Sequence, residues 1–324
     1  MLLFRRIALT LLLMVTAQLA SAERLPEFGF RIRDRAVEIT TDGEPLATYV
    51  FRDDKITRPY FAHVRLAGQQ LTRNHPPVDG TDATDHATMH PGIWLSFGDI
   101  SGHDYWRLKA RTQHVEFVQK PHAEGGELAF AVRNRYLSTD GNQTICEEVA
   151  RFRFAALAEP PGSFLLFWDS TFSSDQGDFY FGDQEEMGLG VRVATPLAVN
   201  TKAGGRILNS HGQRDERELW GKAAAWCDYG GLVDDSRLGI VLLPHPDNFR
   251  PCWFHARNYG FVAANPFGRK AFRAGPPSKV AVRKGESLRL RFGVLLYASP
   301  KEQRENDWAK VLEAYVQRAA TPQE

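Results

Sequence analysis

Two short stretches of this chain carry residue types suited to moving protons. His86 and His90 stand four apart in TDHATMHPG, flanked by Asp82 and Asp85, and the run Asp183-Gln184-Glu185-Glu186 sets carboxylates between Gly182 and Met187-Gly188. Imidazole titrates near neutral pH and burial moves a carboxylate upward, so a His paired with a Glu can serve as acid and base. On a helix, a spacing of four would bring both imidazoles to one face, for a metal ion or for paired proton transfer. Pro91 and Gly92 argue against a helix there, which leaves convergence from a loop. Neighbouring strand residues point oppositely, so only one of Glu185 and Glu186 should face a pocket, and Glu185 is the first candidate.

A third stretch, PHPDNFRPCWFHARNYG, sets His245, Asn248, Arg250, His255, Arg257 and Asn258 among Trp253, Phe254 and Tyr259. Sugars are held by planar multi-donor side chains against aromatic faces, and both are present within a short reach. His255 joins His86, His90 and Glu185 as the catalytic candidates. His245, Asn248, Trp253 and Asn258 are candidates for substrate binding, together with Arg58, Asn74 and His75 from RPYFAHVRLAGQQLTRNHPP, Trp94 from HPGIWLSFGD, and Asp183. His63 lies in an alternating run and reads as a core histidine on a buried strand face. The sequence requires no cofactor; a divalent cation is open through His86, His90 and Glu185, whose spacing does not define a ligand set. Nucleotide loops, a GxGxxG after a strand, HExxH, CxxCH and GxSxG are all missing.

The elements that must position these residues read as strands. Alternating runs such as FGFRIR, ATYVF, YFAHVRL, HVEFV, LAFAVRNRY and VARFRF predict strands with one wet face. Continuous runs, FLLFW, LGIVLL and LRLRFGVLLY, predict central strands buried on both faces. Turn clusters such as TTDGEP, STDGN, AEPPGS and AGPPS separate them. The clearest helix is C-terminal: Ser299, Pro300 and Glu302 fit a capping box, and Trp308, Val311, Leu312, Tyr315 and Val316 follow at helical spacing, an aromatic stripe to lay on the sheet. The fold expected is all-β and mainly antiparallel, a large β-sandwich or supersandwich with a C-terminal helix, as a single domain over 23–324.

Residues 1–22 combine Arg5 and Arg6, an apolar run from Ile7 to Val15 and a terminal Ala20-Ser21-Ala22, the order of a secretory signal peptide. Cleavage after Ala22 would send the mature protein to the periplasm or outside the cell, with no membrane span left in it. Lys plus Arg (40) nearly balance Asp plus Glu (39), so there is no broad basic field for nucleic acid. Cys146, Cys227 and Cys252 allow at most one internal bridge, and read as buried small residues.

The motifs RPYF, TRNHPP, TDH followed by HPGIWLSFGD, GDQEEMGLG, AxWCDY, PHPDNF, CWFHARNYG and ANPFG, in that order, resemble the PmoA-type family, labelled methane oxygenase or a domain of unknown function. The resemblance covers nearly the whole mature chain. It implies a sandwich like that of galactose-mutarotase-type proteins and a setting among sugar-catabolic genes. The expected function is an exported carbohydrate-active enzyme, a glycoside hydrolase, epimerase or lyase, acting on a small-molecule or oligosaccharide ligand by His and carboxylate acid–base chemistry. The alternatives are a non-catalytic sugar-binding domain and, following the family label, a metal-dependent oxidoreductase.

Overall fold

A computed structural model describes residues 25–233, 235–301 and 307–320. The expected signal peptide therefore lies outside the described residues, as does Glu302. Among the described residues the strands form two large antiparallel sheets, of nine and eight strands, with two small two-stranded sheets beside them. In the nine-stranded sheet, Tyr60–Ala62, Ile93–Phe97, Met187–Arg192, Phe261–Asn265 and Trp253–Arg257 lie side by side in that order. In the eight-stranded sheet, Ser236–Pro244, Ser287–Pro300, Ser163–Ser173, Thr144–Leu157 and Glu127–Leu137 do the same. The runs read as central strands, FLLFW, LGIVLL and LRLRFGVLLY, hold interior positions.

The sheets pack face to face. Tyr49 and Phe61 of one meet Phe130, Phe152 and Trp168 of the other at ring-centroid distances of 5.0 to 6.4 Å. Period-two alternation sorts the side chains: Ile93, Leu95, Phe97, Val262, Ala264, Phe254 and Ala256 enter the shared core. Their neighbours Trp94, Phe261 and Ala263 point the other way, into a second apolar cluster with Ile56, Tyr60 and Trp106. Loops cover that outer face. Gly190 makes the cover fit, because a Cβ there would lie 2.8 Å from the Trp94 ring and 3.0 Å from Trp106.

The C-terminal helix runs Trp308–Ala319, and Asp307 caps it by accepting from the amide of Ala309 at 3.2 Å. Its Tyr315 packs on Phe167 and its Trp308 on Tyr297, so the stripe does lie on the eight-stranded sheet. The capping box is corrected: Ser299 and Pro300 pair with Arg237 and Ser236 at the end of a fourteen-residue strand, ladder bonds having won over the local cap. His63 is corrected too. Its φ of 52° ends the strand after Ala62, and its side chain is exposed. Cys146, Cys227 and Cys252 are buried free thiols.

Candidate active site

All four catalytic candidates reach the outer face of the nine-stranded sheet. His90 and His255 both pack on Phe261, the first stacked at 4.6 Å and the second edge-on at 5.1 Å between centroids. His86 stacks on His90 at 4.7 Å with only 8° between the rings, and Tyr259 closes the column at 5.4 Å from His86. The amides of Met89 and His90 both donate to the carbonyl of His86, so one turn supplies the spacing-of-four geometry just ahead of Pro91.

Three buried arginines fasten this turn. Arg73 donates to the carbonyls of Ala83, Asp85, His86 and His90; Arg58 donates to those of Met89, Tyr105 and Trp106. Arg192 makes two bonds of 2.7 Å to the Asp85 carboxylate and lies 4.7 Å over the Tyr259 ring. Burial raises the Asp85 carboxyl, but Arg192 and His86 outweigh it and hold the group at about 2. His90 is held well below the ordinary imidazole value, by burial first and then by His86 and the arginines, so it is neutral at pH 7.

Glu185 sits on a segment fixed from both ends. The Asp183 carboxylate accepts the amides of Lys270, Ala271 and Ser278, and Asn265 donates to the carbonyls of Gln184 and Glu185. On the far side Arg107 holds Gln184 at 3.1 Å and Glu186 at 2.5 Å. The Glu185 side chain is 34% exposed and lies 3.4 Å from Arg257, which also pairs with Glu216 at 3.1 Å. Arg257 and Arg273 flank the half-buried Trp220, at 5.7 and 5.8 Å from its ring.

His255 stands behind Glu185 and is almost fully buried. Its Nδ1 lies 3.3 Å from the Glu185 main-chain oxygen, which can only accept, so Nδ1 carries the proton. Nε2 is then a bare lone pair, buried without a hydrogen-bond partner among the described residues and 3.6 Å from Glu185 Oε2. Burial, then Arg257, holds His255 at about 3, so the two groups form no ion pair at pH 7. A lone pair facing a carboxylate oxygen favours a proton between them. Burial and the nearby Glu186 also push the Glu185 carboxyl up, against the pull of Arg257 and Arg107.

The substrate-binding candidates divide. Trp253 lies on the same strand face as His255, and Trp94 stacks beneath His90 at 4.9 Å. Arg58, Asn74, Asp183 and Asn258 are engaged in holding backbone or loops: Asn74 donates to Asp82, and Asn258 binds Glu216 through its amide and its side-chain oxygen. His75 packs edge-on against Tyr60 at 5.3 Å. His245 and Asn248 bond to the chain at Arg291, in the eight-stranded sheet, and do not join this group. Among the described residues, no three His, Cys, Asp or Glu side chains are grouped to hold a metal ion, so His86, His90 and Glu185 form no such set. The sequence reading missed Arg107, Arg192, Glu216, Trp220 and the orienting role of Asn265; the bonds that tie Arg107 to Glu186, Arg192 to Asp85, Glu216 to Arg257 and Asn265 to Gln184 span 79, 107, 41 and 81 positions.

Fold and site together define an antiparallel β-sandwich with a histidine and carboxylate cluster on the outer face of one sheet. The chain belongs to a family of unknown function (DUF6807), whose pattern matches residues 36–309. This corrects the PmoA-type resemblance and the mutarotase-like kinship it implied, since the matching family carries no assigned function and indicates neither. No curated protein matches the chain.

Proposed function

We propose that the outer face of the nine-stranded sheet binds a sugar or glycoside, and that Glu185 gives a proton to one of its oxygens. The observation that carries this reading is the Glu185 carboxyl beside the bare Nε2 of His255, an arrangement that favours the protonated acid. A group that reaches solvent while its environment raises its affinity for a proton suits general acid catalysis. His255 is a positioning residue here: it tunes Glu185 from behind. Arg257, Arg107 and the ring of Trp220 supply the donors and the flat apolar surface that a polyol needs. The stacked His86 and Tyr259 lie on the same outer face, Tyr259 packing on the Phe261 ring that also meets His255. Export after removal of residues 1–22 belongs to the same proposal.

The test is incubation of wild type and Glu185→Gln with a panel of neutral and acidic oligosaccharides, with products followed by mass spectrometry. A product formed by wild type and slowed roughly 100-fold or more by the variant is expected from loss of a general acid. Equal product from both proteins, or none from wild type on any member of the panel, overturns the proposal.

A further inference from the structure

The outer face of the other sheet carries a separate feature. A groove of about 680 Å³ lies between the eight-stranded sheet and the end of the C-terminal helix, lined by Arg151, Arg153, Arg289, Arg291, Asp169 and Tyr315 among others. Strand register places the arginines together: Arg151 and Arg291 lie directly opposite Asp169 on its two neighbouring strands, and Arg289 is opposite Thr171, one step along the same face. Tyr315 can lie over the floor because residue 293 is glycine; a Cβ there would approach its ring to 3.0 Å.

Charge in the groove is not balanced. Arg289 pairs with Asp169, Arg291 with Asp247, and Arg153 and Arg318 share Glu127. Arg151 has no hydrogen-bond or ion-pair partner among the described residues, so the four guanidiniums that line the groove meet one lining carboxylate, Asp169, with Asp247 and Glu127 pairing from its margin. The PHPDNF motif, which the proposed active site leaves unused, is spent on Arg291. The His245 amide and the Asn248 side chain both donate to its carbonyl, Asn248 accepts from its amide, and Asp247 accepts from its guanidinium at 3.0 Å. Arg153 is likewise fixed, 3.7 Å over the ring of Phe167.

We infer that this groove binds a small oxyanion-bearing molecule, its carboxylate, sulfate or phosphate group taken by Arg151 together with Arg289 or Arg291. Planar guanidiniums held by packing and ion pairs match the geometry of such groups and lose little freedom on binding them. The ring of Tyr315 offers an apolar wall for the remainder of an organic acid. The site is on the face opposite Glu185 and does not depend on the reading of that residue.

The experiment is calorimetric titration of the full chain at low, constant ionic strength with sodium sulfate, sodium phosphate, trigalacturonate and, as the neutral counterpart, maltotriose. Arg151→Glu is the variant, since Arg151 is exposed and bonded to nothing described, and Glu185→Gln is the control. Binding of an anion that Arg151→Glu weakens at least tenfold, and that Glu185→Gln leaves unchanged, is the expected result. Trigalacturonate binding more tightly than the inorganic ions assigns the site to organic acids; equal or tighter binding of sulfate or phosphate assigns it to free oxyanions. No anion binding, or anion binding equal in wild type and Arg151→Glu, overturns the inference.

Discussion

Replacing Asp85 with Asn tests how the turn bearing His86 and His90 is held. The variant keeps the shape of the side chain and removes its charge, leaving Arg192, 1% exposed, without an anion. Breaking a fully buried pair from one side costs about 3–5 kcal/mol. Asp85 itself is 38% exposed, so water screens part of the loss and roughly 2–3 kcal/mol is expected at pH 7. The proton linkage gives a second measure. The fall of the Asp85 carboxyl from 3.8 to about 2 corresponds to roughly 2.4 kcal/mol at about 1.36 kcal/mol per pH unit, which the same exposure reduces to about 1–2 kcal/mol. A depressed carboxyl contributes stability above its unfolded value and loses it as pH falls through the folded one. The deficit of Asp85→Asn should therefore be full at pH 7 and shrink between about pH 4 and 2. Scanning calorimetry over that range reads it, with a lowering of Tm on the order of 5 °C at pH 7. A variant melting within about 1 °C of wild type at pH 7 would refute the claim that this pair fastens the turn.

Two further predictions concern the frame around the site. Gly190→Ala puts a methyl group against Trp94 and Trp106 and should cost about 1–3 kcal/mol, with a changed near-ultraviolet circular dichroism signal from those rings; an unaltered spectrum and melting point would show that the outer cluster has slack. Glu148 is buried in the core, where among the described residues its side chain is bonded by Ser170, Asn134 and Tyr136, and burial raises its carboxyl despite those bonds. Because the folded value is the higher one, wild-type stability is complete below the ordinary carboxylate range and declines as pH rises through the folded value. Glu148→Gln removes that decline, so urea unfolding should show the variant gaining on wild type from pH 4 to pH 8, and a constant difference would contradict it.

The strands were legible because period-two alternation is a local signal, and the buried runs FLLFW, LGIVLL and LRLRFGVLLY took the central places their composition called for. Local signals misled where long-range pairing competed with them. Ser299 and Pro300 have the chemistry of a helix start, but pairing with residues 236 and 237 extends the strand through both. YFAHVRL alternates, yet the left-handed backbone at His63 breaks it. At the site, His86, His90, Glu185 and His255 were visible as residue types in unusual company. What their neighbours do was not visible: the bond from Arg192 to Asp85 spans 107 positions, that from Arg107 to Glu186 spans 79, and that from Asn265 to Glu185 spans 80. Polar richness in TRNHPP, GDQEE and PHPDNF suggests ligand binding. Asn74, Asp183 and Asn248 are instead taken up by loop carboxylates and backbone groups, which such irregular segments must satisfy internally.

The central claim is that Glu185 is inclined to hold a proton against a neutral His255. Carbon-13 titration of the Glu185 carboxyl, assigned by comparison with Glu185→Gln, together with nitrogen-15 spectra of the His255 ring, measures both groups without knowledge of the substrate. The account predicts a Glu185 midpoint above the ordinary 4.5 and a His255 ring that stays neutral, protonated on Nδ1, at pH 5. A Glu185 midpoint at or below 4.5, or a His255 ring charged at that pH, would contradict it.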